Sequence, residues 1–236
     1  MTATVIIPTT GAPELSDAIE SVLKQNYPTM AYVVVDGQEN AEKLLKFGSE
    51  LFSSDKVKVC ILPINVGKNG FYGHRVYASF PHLVNTKYTL FLDQDNWFDR
   101  NHVKSCVEKI EKNNLHWCYS LRKIYNGNQF VCNDDCESLG KYESYQPTVY
   151  HCDTNSYCIL TQVAASVSSA WHGGWGQDRI FYGVLDRNFP QFDCTGEYTV
   201  NYRVGGNEGS VRTEFFENGN KIMNQKYNGV FPWRKI

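Results

Sequence analysis

Two aspartates spaced two apart, Asp93 and Asp95, follow directly on the run Tyr88-Thr89-Leu90-Phe91-Leu92, with Gln94 between them and Asn96 behind. Carboxylates at that spacing offer hard oxygens to a divalent cation. Mg2+ or Mn2+ suits such ligands and can also hold a substrate diphosphate. The preceding run is short, apolar and bounded by polar residues, as a buried strand of a parallel sheet is. Open α/β sheets bind their ligands beyond the carboxyl ends of the strands, which is where this pair would stand. The competing reading is plain: Asp is common in turns, and these two can simply cap the next helix.

A sheet must hold those aspartates in place, and the amino-terminal half has its pattern. Thr4–Pro8 reads as a strand broken by the loop Pro8-Thr9-Thr10-Gly11. Leu15, Ala18, Ile19, Val22 and Leu23 form a helical stripe. It stops at Asn26-Tyr27-Pro28, because the residue before Pro is pushed away from the helical region. Tyr32–Val35 is a second strand ending at Asp36-Gly37, and a helix is expected over 41–52. Val57–Leu62 is a third strand, followed by the turn-rich Asn65-Val66-Gly67-Lys68-Asn69-Gly70 and a helix to about Leu83 that carries His74, Arg75 and Tyr77. Strands alternating with helices predict an α/β fold, doubly wound on a mostly parallel sheet with right-handed crossovers. The loops after the first three strands (Thr9, Thr10 and Gly11; Asp36 and Gly37; Asn65, Gly67 and Lys68) should then open on the same edge as Asp93 and Asp95. Small, polar residues at every strand end suit a nucleotide. Turn formation explains each loop singly but makes the coincidence of four accidental.

Beyond a helix at about 101–113 the character changes. Trp117–Tyr125 reads as a strand, Asn126-Gly127 as a hairpin turn and Gln129–Cys132 as the return strand. The polar stretch 133–146 is expected to be a loop or lid. Cys158–Leu160 is a short strand, 162–171 a helix, and Gly173-Gly174-Trp175-Gly176 a loop leading into a helix that opens at Gln177-Asp178-Arg179. Tyr198–Val204 alternates like a strand. The tail from Gly205, with Phe215, Phe216, Tyr227, Phe231 and Trp233, yields no assignment. This half should form a smaller, mixed β region on the same sheet, with no repeat and no clear linker between halves.

Composition narrows the function classes. A chain of 236 residues with 42% hydrophobic content can bury the core of one large domain or two closely joined lobes. A net charge of −2 argues against a nucleic-acid surface. No apolar run reaches the roughly 18 residues needed to span a bilayer, so no transmembrane segment is expected. No signal-peptide pattern precedes Thr4, and a cytoplasmic location is expected. The eight cysteines sit largely inside apolar patterns, which fits a reducing compartment, although an even count also permits disulfides. Cys132, Cys136, His151 and Cys152 can be read as zinc ligands, but they lack the tight Cys-x-x-Cys pair. The phosphate-loop, dinucleotide, Gly-x-Ser-x-Gly and His-Glu-x-x-His motifs are all missing.

Taken in order, Val5-Ile6-Ile7-Pro8-Thr9, Leu15 through Ala18-Ile19-Glu20-Ser21-Val22-Leu23 to Gln25-Asn26-Tyr27-Pro28, Val33-Val34-Val35-Asp36-Gly37, Asn65-Val66-Gly67 and Leu90-Phe91-Leu92-Asp93-Gln94-Asp95 resemble glycosyltransferase family 2. The likeness covers about residues 3–110 well and the remainder loosely. It implies the GT-A fold, a nucleoside diphosphate sugar donor (UDP-linked in the usual case), a glycan or glycoconjugate acceptor and an inverting transfer. It also implies a division into a nucleotide-sugar half, 1–112, and an acceptor half, 113–236, within one continuous domain. Carried over by residue, Pro8, Thr9, Thr10 and Gln94 would border the nucleotide and Asp36 would accept a hydrogen bond from the base. Asn65, Gly67, Lys68 and Arg75 would line the base and ribose. Asp93 would approach the ribose or the metal, and Asp95 would bind Mn2+ or Mg2+ directly. Two positions depart from the pattern. Asn96 stands where many relatives have Asp, and Gly73-His74-Arg75 only approximates the usual Ala-Arg-Asn.

Inversion asks a base to take the proton of the acceptor hydroxyl. Asp178 is the candidate. It follows a Gly/Trp loop and opens a helix, resembling the family's acidic pair with Gln177 in place of the first Glu. A carboxylate there can instead serve only its own helix dipole, and Asp153 is the rival base. Trp171, His172 and Trp175 can form a platform for a sugar ring or simply pack the core. Two other functions compete, a nucleotidyltransferase and a catalytically silent nucleotide-sugar-binding module. Against the first, residues 8–13 lack the basic loop that class carries. The sugar, the acceptor and the oligomeric state are not specified by these residues.

Overall fold

The computed structural model describes residues 1–205 and 211–234. In chain order the elements are β1 (Ala3–Thr9), α1 (Leu15–Leu23), β2 (Thr29–Val35), α2 (Gln38–Leu44), α3 (Gly48–Ser53), β3 (Val57–Ile61), α4 (His74–Ser79), β4 (Tyr88–Phe91), β5 (Trp97–Phe98), α5 (His102–Asn113), β6 (Trp117–Asn126), β7 (Gln129–Asn133), β8 (Tyr157–Leu160), α6 (Thr161–Val167), α7 (Gln177–Asn188), β9 (Phe192–Val204) and α8 (Thr213–Tyr227). The strands form one sheet in the order β3-β2-β1-β4-β8-β6-β9-β5, with β7 paired to the outer end of β6.

β3, β2, β1 and β4 run parallel, so their carboxyl ends face one edge. β1 is buried at all seven residues. Val5 and Ile7 enter the layer packed on α1 and α5, and Ile6 enters the opposite layer with Phe91, Trp117 and Trp171. A strand covered on both faces reads as a continuous apolar run, as this one does. β8 then lies antiparallel to β4, pairing Tyr88 with Leu160 and Leu90 with Cys158, and β6 antiparallel to β8. The sheet is therefore mixed, and the junction of its two halves falls beside the Asp93–Asp95 loop.

Several elements are shorter or more broken than their patterns suggest. The helix expected over 41–52 is two helices joined by the 3-10 turn Leu45–Phe47. The helix expected to run to Leu83 ends as α4, and a 3-10 turn continues it through Phe80–Leu83. Pro81, which has no N–H to donate, stands in that turn. α6 likewise passes into a 3-10 turn, Ser168–Trp171. In the unassigned tail α8 runs for 15 residues and buries Phe216, Gly219 and Met223, while 206–210 lie outside the described residues. The stretch 133–146 is a loop, and buried Asp134 pins it by accepting the N–H groups of Cys136, Glu137 and Ser138 at 2.9–3.0 Å. All eight cysteines are free thiols. Cys132, Cys136, His151 and Cys152 do not converge, and no group of three metal-binding side chains gathers anywhere among the described residues. No described helix is long and apolar enough to cross a membrane.

Candidate active site

A cleft of about 910 Å3 opens along the carboxyl ends of β1, β2 and β4 and runs across to α7. Pro8, Thr9, Thr10, Asp36, Asn65, Gly67, Lys68, Asp93, Gln94, Asp95, Trp175 and Asp178 all line it. Arg75 is set behind the wall. Its Nη1 donates to the Val66 carbonyl at 3.2 Å, and its guanidinium lies 3.4 Å from the Phe71 ring centroid.

Two of these residues shape the walls through the backbone. The Asp36 carboxylate accepts the N–H groups of Val66 and Gly67 at 2.7 and 2.8 Å, which fastens the loop after β3 to the end of β2. A Cβ on Gly67 would stand 2.7 Å from Asp36 Oδ2 and collide with the Tyr72 carbonyl, so only glycine allows this approach. Gln94 Oε1 accepts from Thr9 Oγ1 at 2.7 Å and from the Thr10 and Ala12 N–H groups at 3.0 and 3.3 Å. The residue between the two aspartates therefore ties the loop after β1 to the loop after β4. Lys68 is exposed and ion-paired to Glu39 at 3.1 Å. Asn65 Oδ1 is buried in the cleft wall without a hydrogen-bond partner among the described residues.

The carboxylates stand in different states of engagement. Asp93 accepts from Tyr77 Oη at 2.8 Å and Asn155 Nδ2 at 2.9 Å. Burial, then the nearby Asp95 and Asp153, push its carboxyl up to about 7. Asp95 is also raised by burial, and its carboxylate accepts no hydrogen bond from another side chain among the described residues. Its backbone carbonyl is held by Arg203 Nη1 at 2.7 Å. Asn96 is buried and accepts the Arg203 N–H at 2.8 Å, so it splices the loop onto β9. Ionised, Asp93 and Asp95 would offer oxygens of the hard kind that Mn2+ or Mg2+ prefers, and a cation there would offset the charge that opposes the ionisation of Asp93. Two side chains are too few for a full shell, so oxygens of a bound diphosphate would have to complete it.

Of the two base candidates, Asp153 is the more heavily engaged. Its Oδ2 takes Arg122 Nη1 at 2.8 Å, and its Oδ1 takes both the N–H and Nδ2 of Asn155. Asp178 lies in the first turn of α7 just after Gly176, whose φ of 79° turns the chain into the helix. Among the described residues its side chain accepts one hydrogen bond, from the N–H of the next residue, Arg179, at 2.9 Å. Trp175 projects into solvent at 78% exposure on the same side. Trp171 takes the second of its two readings. It is fully buried and stacked on Phe181 at 4.2 Å, so it packs the core beneath the site and offers no platform. His172 is exposed and tilted against Phe71 outside the lining of the cleft.

Residues outside the sequence expectations complete the wall on the side of the carboxyl-terminal half. Buried Arg122 ties Asp134, Glu137 and Asp153 together. Burial works to raise Glu137, but Arg122, His151 and Arg179 hold its carboxyl down to about 2. His74 stacks on Trp171 and sits 3.1 Å from the Gly173 carbonyl, joining the nucleotide side to the loop before Asp178. One signal for Arg122 was present in the sequence: of the adjacent cations Arg122 and Lys123 in the strand pattern 117–125, side-chain alternation sends one inward, where it must find buried partners.

The description "Glycosyl transferase family 2" belongs to the family model that matches residues 4–166. Curated proteins yield no significant match. Among solved structures, S. aureus TarS 1-349 superposes with a TM-score of 0.64 at 17% identity, covering 86% of this chain and 60% of that one. Its complex with UDP-GlcNAc gives 0.65 at 15% identity, covering 98% and 67%, and its complex with UDP gives 0.63 at 15%, covering 98% and 66%. The chain thus spans about 60 to 67% of those TarS chains. At such identities the likeness establishes the fold.

Proposed function

Because the chain belongs to glycosyl transferase family 2, we propose that it moves a sugar from a nucleoside diphosphate sugar, a UDP-sugar, to a hydroxyl of a glycan or glycoconjugate, with inversion and with Mn2+ or Mg2+ bound. The observation that carries this reading is that one cleft joins the carboxyl ends of the parallel strands, Asp93 and Asp95 to Asp178 from the opposite half. The crystal structure of TarS with UDP-GlcNAc, a structural neighbour over nearly the whole chain, supports the choice of donor.

Asn65 presents a buried acceptor oxygen that a base or ribose hydroxyl would satisfy, since buried polar atoms rarely go unpaired. The backbone around Thr9–Gly11 and the Asp36–Gly67 clamp shape the nucleotide wall. Asp93 and Asp95 face the diphosphate. Bound there, the cation would offset the negative charge that grows on the leaving diphosphate. Asp178 takes the proton from the acceptor hydroxyl as that oxygen attacks the anomeric carbon from the face opposite the diphosphate, and general-base help of this kind contributes about 10²–10⁴-fold. Trp175 borders the acceptor side.

The test is release of UDP from a panel of UDP-sugars, with Mn2+ or with a chelator, in wild type and Asp178→Asn. The reading expects turnover that chelation abolishes and the variant reduces at least about a hundredfold while UDP affinity holds. Pyrophosphate release, or unchanged turnover in the variant, would overturn it.

A further inference from the structure

Asn155 belongs to no motif, yet the two halves of the site meet on it. It is fully buried in the turn Thr154–Ser156, which leads into β8 and is brought against the end of β4 by their antiparallel pairing. Its Nδ2 donates to Asp93 Oδ2 at 2.9 Å and to Asp153 Oδ1 at 2.7 Å. Its Oδ1 accepts the Asp93 N–H at 2.6 Å, and its own N–H donates to Asp153 Oδ1 at 2.9 Å. Arg122 grips the other oxygen of Asp153. One neutral amide thus holds two acidic side chains together and grips Asp93 by both carboxylate and backbone.

We infer that Asn155 is a positioning residue for cation and donor-diphosphate binding, acting through Asp93. This rests on the function proposed above. Two carboxylates that meet without a cation repel, and either would relieve that repulsion by swinging away. The Nδ2 group donates a hydrogen to each and removes the incentive, while the Oδ1 contact fixes the backbone from which Asp93 projects. Tyr77 holds the remaining Asp93 oxygen. The carboxylate is therefore set in one orientation before any ligand arrives, and each oxygen keeps a lone pair for the cleft. Partners that orient a metal-binding side chain typically matter about 10–100-fold in metal affinity.

The experiment compares wild type, Asn155→Ala and Asn155→Asp by calorimetry, titrating Mn2+ in saturating UDP and UDP in the presence of a chelator. Melting temperatures and donor turnover are recorded beside them. Asn155→Asp keeps the size and the oxygen that accepts the Asp93 N–H but loses the donor. The expected result is Mn2+ affinity weakened about ten- to a hundredfold in both variants. Metal-free UDP affinity should stay within about twofold, because the nucleotide loops do not touch Asn155, and kcat should fall with Mn2+ affinity. A folded variant that binds Mn2+ as wild type does would overturn the inference, as would failure of both variants to fold, which would make the residue structural. If wild type itself binds neither Mn2+ nor UDP, the proposed function fails, and the inference fails with it.

Discussion

Asp93→Asn should make the metal-free protein more stable and the enzyme inactive. The carboxyl of Asp93 rises from 3.8 to about 7 because burial and two neighbouring carboxylates disfavour its ionised form. At 1.36 kcal/mol for each tenfold change in proton affinity, that rise is worth ~4 kcal/mol of destabilisation once the group is ionised. The cleft side of Asp93 keeps some solvent, and the variant amide cannot accept from both Tyr77 and Asn155 as the carboxylate does. Those two corrections bring the net gain to ~2–3 kcal/mol at alkaline pH.

The sign follows from proton binding. Between the unfolded value and about 7 the folded state holds the extra proton, so stability falls as pH rises through that window and the full penalty is present above it. Urea unfolding in a chelating buffer at about pH 5 and about pH 8.5 measures it. The difference between variant and wild type should widen by ~2–3 kcal/mol toward the higher pH. Added Mn2+ with UDP should stabilise wild type at the higher pH and leave the variant's midpoint nearly unmoved. Parallel pH dependence in the two proteins would refute the idea that Asp93 is held near neutrality. A variant that Mn2+ and UDP still stabilise fully would refute its place in the cation site.

Other substitutions separate the parts of the cleft. Gly67→Ala drives a methyl into the Tyr72 carbonyl and the Asp36 carboxylate, so UDP affinity should fall at least about tenfold with a loss of ~1–3 kcal/mol in stability, read by calorimetry and urea unfolding. Arg122→Met strands Asp134, Glu137 and Asp153 without their shared cation and should cost ~3–5 kcal/mol in urea unfolding, far more than a surface ion pair would. Trp175→Ala removes an exposed ring, so the melting temperature should hold while the KM for the acceptor rises.

Much of the donor half was legible because its physics is local. A parallel strand covered on both faces reads as an unbroken apolar run, and β1, β2 and β4 each do. Once the strands are parallel, their following loops must share an edge, so Thr9, Asp36, Gly67 and Asp95 could be placed together from order alone. What order could not supply is where each side chain spends its hydrogen bonds. Gln94 and Asp36 line the cleft, yet their oxygens go largely to neighbouring loops, and Arg75 turns behind the wall.

The acceptor half was opaque for a different reason. Its polar residues gain meaning only from partners far off in sequence. Asn155 meets Asp93 across sixty-two positions, Arg203 meets Asp95 across more than a hundred, and Arg122 draws three carboxylates from a loop that reads as mere polarity. Trp171 shows the converse. An aromatic beside glycines looks like a sugar platform, but β4 and α7 close over it and make it core. The same buried ionic lattice separates the two candidate bases. Arg122 and Asn155 occupy three of the four lone-pair positions of the Asp153 carboxylate, whereas Asp178, in the first turn of α7, lines the cleft and among the described residues accepts one hydrogen bond, from the Arg179 N–H. On the proposed function the choice of base follows from what surrounds each aspartate, and no spacing along the chain encodes it.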